Sequence, residues 1–143
     1  MPKKILCAVD GSDASDRAAA CAVELAKETG AKLTFVHVNS VQQDRIAKRW
    51  FWDETLLSAM NAEIQSRLAN GQKIAANHGL ADFSSVVLKS NRVSSAITSY
   101  AKEKEFDYIV MGTGVTNDME RLFLGSVATE VVSGAHCPVT IVR

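Results

Sequence analysis

An excess of charge of either sign is missing from this sequence: sixteen Lys and Arg balance sixteen Asp and Glu over 143 residues. A chain with no net charge has no general electrostatic pull toward DNA or an anionic membrane. No run of five or six like charges supplies a local one, so neither nucleic acid nor membrane is expected among the partners. Cysteine is scarce as well. Cys7, Cys21 and Cys137 are odd in number and widely spaced, which reads as reduced thiols in a cytoplasmic protein rather than a disulfide framework. Long hydrophobic runs are also lacking. The apolar stretch before Asp10 covers only Ile5–Val9, too short for a signal peptide and far too short for a membrane span.

Catalytic signatures are absent in the same way. His136 and Cys137 are neighbours in sequence, poorly placed as base and nucleophile, and no third group is suggested to orient them. Gly125-Ser126-Val127 lacks the following glycine of a nucleophile elbow. His37, His78 and His136 have no zinc spacing and read as structural or solvent-facing. Asp10, Asp13 and Asp16 recur every third residue without matching a calcium loop. No productive catalysis is expected, and slow hydrolysis of a bound ligand ranks last among functions because no general base is evident.

What is present is an ordinary globular composition, 47% hydrophobic and 22% charged, in a chain long enough to bury a core as one domain. Five short apolar runs recur: Ile5–Val9, Leu33–Val38, Phe83–Leu88, Tyr108–Met111 and Val139–Val142. Most lack polar alternation, as strands buried on both faces do. Helical periodicity fills the gaps between them. Ala18, Cys21, Ala22, Leu25 and Ala26 make one apolar stripe, with Ser12 or Asp13 to cap its start and Gly30 its end. A longer helix is predicted over 53–77, with Leu57, Met60, Ile64 and Leu68 inward and Gly79 just beyond. A third covers 93–104. The fourth begins near Ser126, with Val127, Ala128, Val131 and Val132 on one side. Strand and helix alternating in this way predict an α/β fold, an open five-stranded parallel sheet with helices on both faces. No linker or internal repeat divides it. Ligands of such sheets sit at the carboxyl ends of the strands, where the strand order reverses. That directs attention to residues 8–10, 38–39 and 111–126.

A phosphate loop needs glycines so that bare backbone N–H groups approach the oxygens, and it gains from a helix N-terminus. Gly112 and Gly114 follow the fourth strand, and Gly125-Ser126 heads the fourth helix. Asn117 breaks any G-x-G-x-x-G, and there is no G-x-x-x-x-G-K-[ST]. Spacing alone fits a phosphate cradle and a structural loop equally well. Asp10, at the end of the first strand, fits a ligand contact and also a cap or turn residue in Asp-Gly-Ser-Asp. Arg49-Trp50-Phe51-Trp52, before the second helix, fits core packing or a lid beside the site.

From end to end the chain resembles the universal stress protein family. The resemblance rests on Ile5-Leu6-Cys7-Ala8-Val9-Asp10-Gly11-Ser12, His37-Val38, Asp107-Tyr108-Ile109-Val110-Met111-Gly112, Arg121-Leu122-Phe123-Leu124-Gly125-Ser126-Val127 and Cys137-Pro138-Val139. It implies a single Rossmann-like domain of the adenine nucleotide-binding type over residues 1–143. ATP or AMP would act there as a regulatory signal in a stress response, with a divalent ion such as Mg arriving on the phosphates. Asp10 would then lie near ribose or base, with Ala8, Val9, Val38 and Met111 around the ring. Gly112, Gly114, Gly125, Ser126 and Val127 would hold the phosphates. The resemblance also implies a homodimer in which residues 139–142 pair with their copy, covering an exposed edge, and an unnamed protein partner downstream.

Nucleotide-binding members carry G-x-x-G, nine residues, then G-[ST]. Gly112 and Gly125-Ser126 match, but Val115 stands at the second glycine, with Gly114 one place earlier. A β-branched residue resists positive φ and its methyls obstruct phosphate, a cost of about 1–3 kcal/mol or roughly one to two decades of affinity. Asp118 and Glu120 add negative charge nearby, and Arg121 offsets it. Weakened binding is the expectation. The competing reading is a dimeric interaction module that has lost its nucleotide through Val115.

Overall fold

In the computed structural model, residues 1–40, 54–114 and 124–143 are described. Five strands, β1 (Lys4–Ala8), β2 (Lys32–Ser40), β3 (Phe83–Ser90), β4 (Tyr108–Gly112) and β5 (Val139–Val142), form one sheet in the order β3-β2-β1-β4-β5. Every pairing is parallel. Four helices are described between them: α1 (Asp13–Thr29), α2 (Glu54–Asn77), α3 (Val93–Glu103) and α4 (Ser126–Gly134). The α/β class and all five strands agree with the sequence reading. The predicted start of α2 at Asp53 and the Arg49–Trp52 stretch lie outside the described residues, as does Val115 with its neighbours Asp118, Glu120 and Arg121.

Alternation along the strands sorts the core into two layers. Ile5, Cys7, Leu33, Phe35 and Val110 pack with Ala18, Ala22, Val23 and Ala26 of α1 and Leu68 and Ala75 of α2. Leu6, Val36, Ile109 and Met111 pack with Ile97 and Ala101 of α3 and Ala128 and Val131 of α4. The small α1 stripe lets that helix lie close to the sheet centre. Its ends are finished as predicted: the Ser15 N–H donates to Ser12 Oγ at 3.1 Å, and Gly30 takes the left-handed C-cap with φ +76°.

Two expectations change. Val132 is 48% exposed, because α4 turns only Ala128 and Val131 fully inward on this short helix. β3 is not buried on both faces; each of its residues is half-buried or exposed, since it forms one edge of the sheet.

The strand order reverses between β1 and β4. Chain direction from β1 runs through β2 to β3 on one side, and β4 to β5 lies on the other. The crevice rule therefore points at the ends of two adjacent central strands.

Candidate functional site

A cavity of about 280 Å³ opens at that reversal, close to the lower end of small-molecule sites, roughly 300–1,000 Å³. Three kinds of wall surround it. Val36, Val38, Val93, Ile97, Met111 and Ala128 supply an apolar side that belongs to the α3/α4 layer. Gly112, Gly114, Gly125 and Ser126, with Val127 beside them, supply a backbone-rich side. Asp10, Ser15, His37 and Arg67 supply a polar side at the end of β1, with Ala8 and Val9 on the floor. All ten residues singled out from the sequence, Ala8, Val9, Asp10, Val38, Met111, Gly112, Gly114, Gly125, Ser126 and Val127, line this one cavity.

The turn after β1 is held from both directions. The Asp10 N–H donates to Ser15 Oγ at 3.0 Å, and the Ser12 N–H donates to Asp10 Oδ1 at 2.9 Å. Asp10 is thus the turn residue that the Asp-Gly-Ser-Asp pattern allowed and also a carboxylate at the cavity rim. One oxygen serves the turn; among the described residues Oδ2 has no hydrogen-bond partner.

On β2 the sequence reading of His37 is refined. His37 is 3% exposed, and its Nδ1 lies 2.9 Å from the Val9 carbonyl oxygen. A carbonyl only accepts, so this bond puts the ring proton on Nδ1 and leaves a lone pair on Nε2. Nε2 has no partner among the described residues. An unsatisfied buried acceptor costs about 1–3 kcal/mol. Asn39, on the same face of β2 two residues on, has a buried Oδ1 in the same condition.

The connection after β4 is pinched at its neck. Thr113 N–H donates to Val142 O at 3.1 Å, continuing the β4–β5 ladder, and Gly125 N–H returns to Thr113 O at 2.7 Å. Gly114 holds φ +76°, a conformation open to glycine and resisted by β-branched residues. The left-handed turn therefore falls at Gly114, one place before the position that the family motif gives to glycine. Gly125 must be bare for another reason: a Cβ there would stand 2.9 Å from Thr113 O. Gly112 needs correction in its cause. It lines the cavity, but a Cβ on it would meet Ala14 at 3.0 Å, so its bareness answers to the packing of α1 rather than to phosphate approach.

Helix α4 begins at Gly125 with no side-chain cap. Its first N–H groups carry the partial positive charge of a helix N-terminus, suited to an anion. Thr129 does not relieve them; its N–H and hydroxyl both turn to the Gly125 carbonyl, at 3.0 and 2.9 Å.

Sequence reasoning missed Ser15, Val36, His37, Arg67, Val93, Ile97 and Ala128 as cavity residues. For Arg67 a signal existed, since it falls between Ile64 and Leu68 on the inward stripe of α2. No comparable signal marked α3.

Two of the thiols are held in their protonated form. Burial, and then Cys21, push the Cys7 thiol far up; burial, and then Asp107, raise that of Cys137. Both shifts oppose thiolate formation. His136 is exposed, and no group of three or more His, Cys, Asp or Glu fit to hold a metal occurs among the described residues. No helix among them is long and apolar enough to cross a membrane.

Comparison with known proteins identifies the family. The universal stress protein family matches residues 1–143. A universal stress protein of Methanocaldococcus jannaschii is 34% identical over 142 residues, spanning 99% of this chain and 82% of its own length. The solved structure of a universal stress protein from Lactobacillus plantarum superposes with a TM-score of 0.78 at 28% identity, covering 99% of this chain and 97% of the other. A universal stress protein solved in complex with cAMP superposes with a TM-score of 0.73 at 25% identity, covering 99% and 97%. The chain belongs to the universal stress protein family.

Proposed function

We propose that this protein binds ATP or a related adenine nucleotide in the cavity at the β1/β4 reversal, as a regulatory signal without productive turnover. The observation that carries the reading is the junction of three chemically distinct walls in one cavity. The apolar side suits a purine ring, the Asp10 side suits ribose, and the uncapped start of α4 suits phosphate. The cAMP bound by a structural relative supports an adenine ligand. Ala8, Val9, Val38 and Met111 surround the base in this reading, Asp10 meets the ribose, and Gly114, Gly125, Ser126 and Val127 face the phosphates with Gly112 behind them. AMP fills the same walls with fewer phosphates, and a divalent ion enters on the phosphates of ATP. The protein acts in the cytoplasm, as one domain over residues 1–143, and needs neither nucleic acid nor membrane. Denaturing the purified protein and analysing the supernatant by absorbance and mass spectrometry tests for carried nucleotide; an adenine nucleotide near one equivalent is expected.

The second reading, a partner-binding dimer that has lost its nucleotide, is favoured by Val115. Val115→Gly separates the two. If the valine obstructs an intact cradle, the substitution tightens ATP binding by roughly one to two decades. If wild type and variant both fail to bind, the interaction module takes over. In both readings β5 pairs with its copy across a short apolar edge. Ile141→Pro removes a ladder donor and should shift the protein toward monomer in light scattering; a wild type already monomeric at micromolar concentration ends the edge-pairing idea.

A further inference from the structure

The polar side of the cavity contains a residue that the strand ends do not supply. Arg67 reaches the cavity from α2 and is half-buried. Its stem lies on the turn after β1: a Cβ built on Gly11 would stand 3.1 Å from Arg67 Cγ. Gly11 has φ +86°, so one glycine makes the turn and leaves room for the arginine methylenes. Turn and helix together hold the arginine at the rim where Asp10 stands.

The side of the sheet decides which part of a nucleotide Arg67 meets. α2 packs against α1, β2 and β3, whereas α4 follows β4 on the other side of β1. Arg67 is therefore across the central strand from the uncapped α4 terminus. The apolar wall is in the opposite core layer from α2. That leaves Arg67 beside Asp10, in the part of the cavity that the proposed reading gives to ribose.

A sugar hydroxyl both donates and accepts. A carboxylate oxygen only accepts, and a guanidinium only donates. Asp10 Oδ1 is engaged by the Ser12 N–H at 2.9 Å, which orients the carboxylate and leaves its other oxygen for an O–H donor. Arg67, although it also makes an interaction within the protein, carries five N–H donors and can supply the complementary one. We propose that Arg67 and Asp10 together read the 2′-hydroxyl of ribose, with Arg67 the residue that distinguishes ribonucleotides from deoxyribonucleotides. This rests on the adenine-nucleotide reading of the cavity.

The test is calorimetric titration of ATP and 2′-deoxy-ATP into the wild type, Arg67→Gln, Arg67→Lys and Asp10→Asn, each first shown to melt cooperatively. The wild type should prefer ATP by about tenfold, the effect of losing one hydrogen bond to a charged group. Arg67→Gln should weaken ATP by about tenfold while 2′-deoxy-ATP changes by less than about threefold, so that the preference collapses. Arg67→Lys keeps a point charge and should recover only part of it. Asp10→Asn retains the turn acceptor and should also erode the preference. Equal weakening of both nucleotides by Arg67→Gln overturns the proposal, because it would mark a general charge effect. A wild type that binds both nucleotides equally also overturns it, and leaves the cavity reading standing. A folded wild type that binds neither brings down the cavity reading, and this inference with it.

Discussion

Two helix N-termini stand side by side at the carboxyl end of the sheet, and the chain finishes them differently. At α1, Ser12 Oγ accepts from Ser15 N–H, Asp10 Oδ1 accepts from Ser12 N–H, and Ser15 Oγ accepts from Asp10 N–H. At α4 the residue in the cap position is Gly125, which has no side chain to give. Both connections leave a central strand and open a helix. One has a side-chain cap on a first-turn N–H and a hydrogen-bonded turn before it; the other has no side-chain cap at all. A glycine-rich loop can thus be a structural corner or an anion site, and the deciding feature is where the first helical N–H groups find acceptors.

The largest expected effect comes from closing the open end. Gly125→Val places a branched side chain where even a Cβ would be 2.9 Å from Thr113 O. ATP affinity should fall by about a hundredfold, while adenosine, which has no phosphate to lose, should change by less than about threefold. A parallel melt is needed, since overpacking costs about 1–3 kcal/mol of stability by itself. Equal loss for ATP and adenosine would mean that α4 is no more specialised for anions than α1.

Opening the closed end should do the reverse in kind. Ser12→Ala removes the α1 cap and should cost about 1 kcal/mol of stability, read from denaturant midpoints, with ATP affinity little changed. If ATP binding falls as steeply as in Gly125→Val, the two ends are not functionally distinct.

Part of this contrast was legible in the sequence. The capping pattern at Ser12, the five strands and the strand ends that meet at the cavity follow from short-range chemistry and period. Gly125-Ser126 stood out for the same reason. The cause of Gly112 was hidden, because nothing local says that Ala14 will lie 3.0 Å from its missing Cβ. Arg67 and the α3 residues Val93 and Ile97 were missed because they reach the cavity through helix packing, which the strand-end rule does not encode. For His37 the sequence allows a structural or a solvent-facing residue, and its burial and Val9 bond favour the structural one. The orphaned Nε2 depends on a tautomer that only the fold fixes.

The smallest effect lies at the other end of the sheet and serves as a control for the site. Asp107 accepts from the backbone N–H of Lys3 and Lys4 at 2.9–3.1 Å. Burial would raise its pKa, but these backbone bonds and the Lys3 charge outweigh it and hold the carboxyl below its usual value. A depressed folded pKa means stability that is complete above the unfolded carboxylate value, about 3.9, and is lost as pH falls through the lower folded one. Solvent screening keeps the amount small. Asp107→Asn should slightly lower the thermal midpoint at neutral pH and flatten its fall in acid, with no change in ATP binding. A melting curve in acid identical to the wild type would remove the role given to Asp107.

The central claim is that the cavity takes an adenine nucleotide with its phosphates on the open end of α4. It is tested most directly by calorimetric titration of ATP and adenosine into the wild-type protein. The account predicts saturable binding of both with ATP the tighter, the difference being the phosphate contribution at Gly125 and Ser126. A folded wild type that binds neither ligand, or that binds adenosine as tightly as ATP, would contradict it.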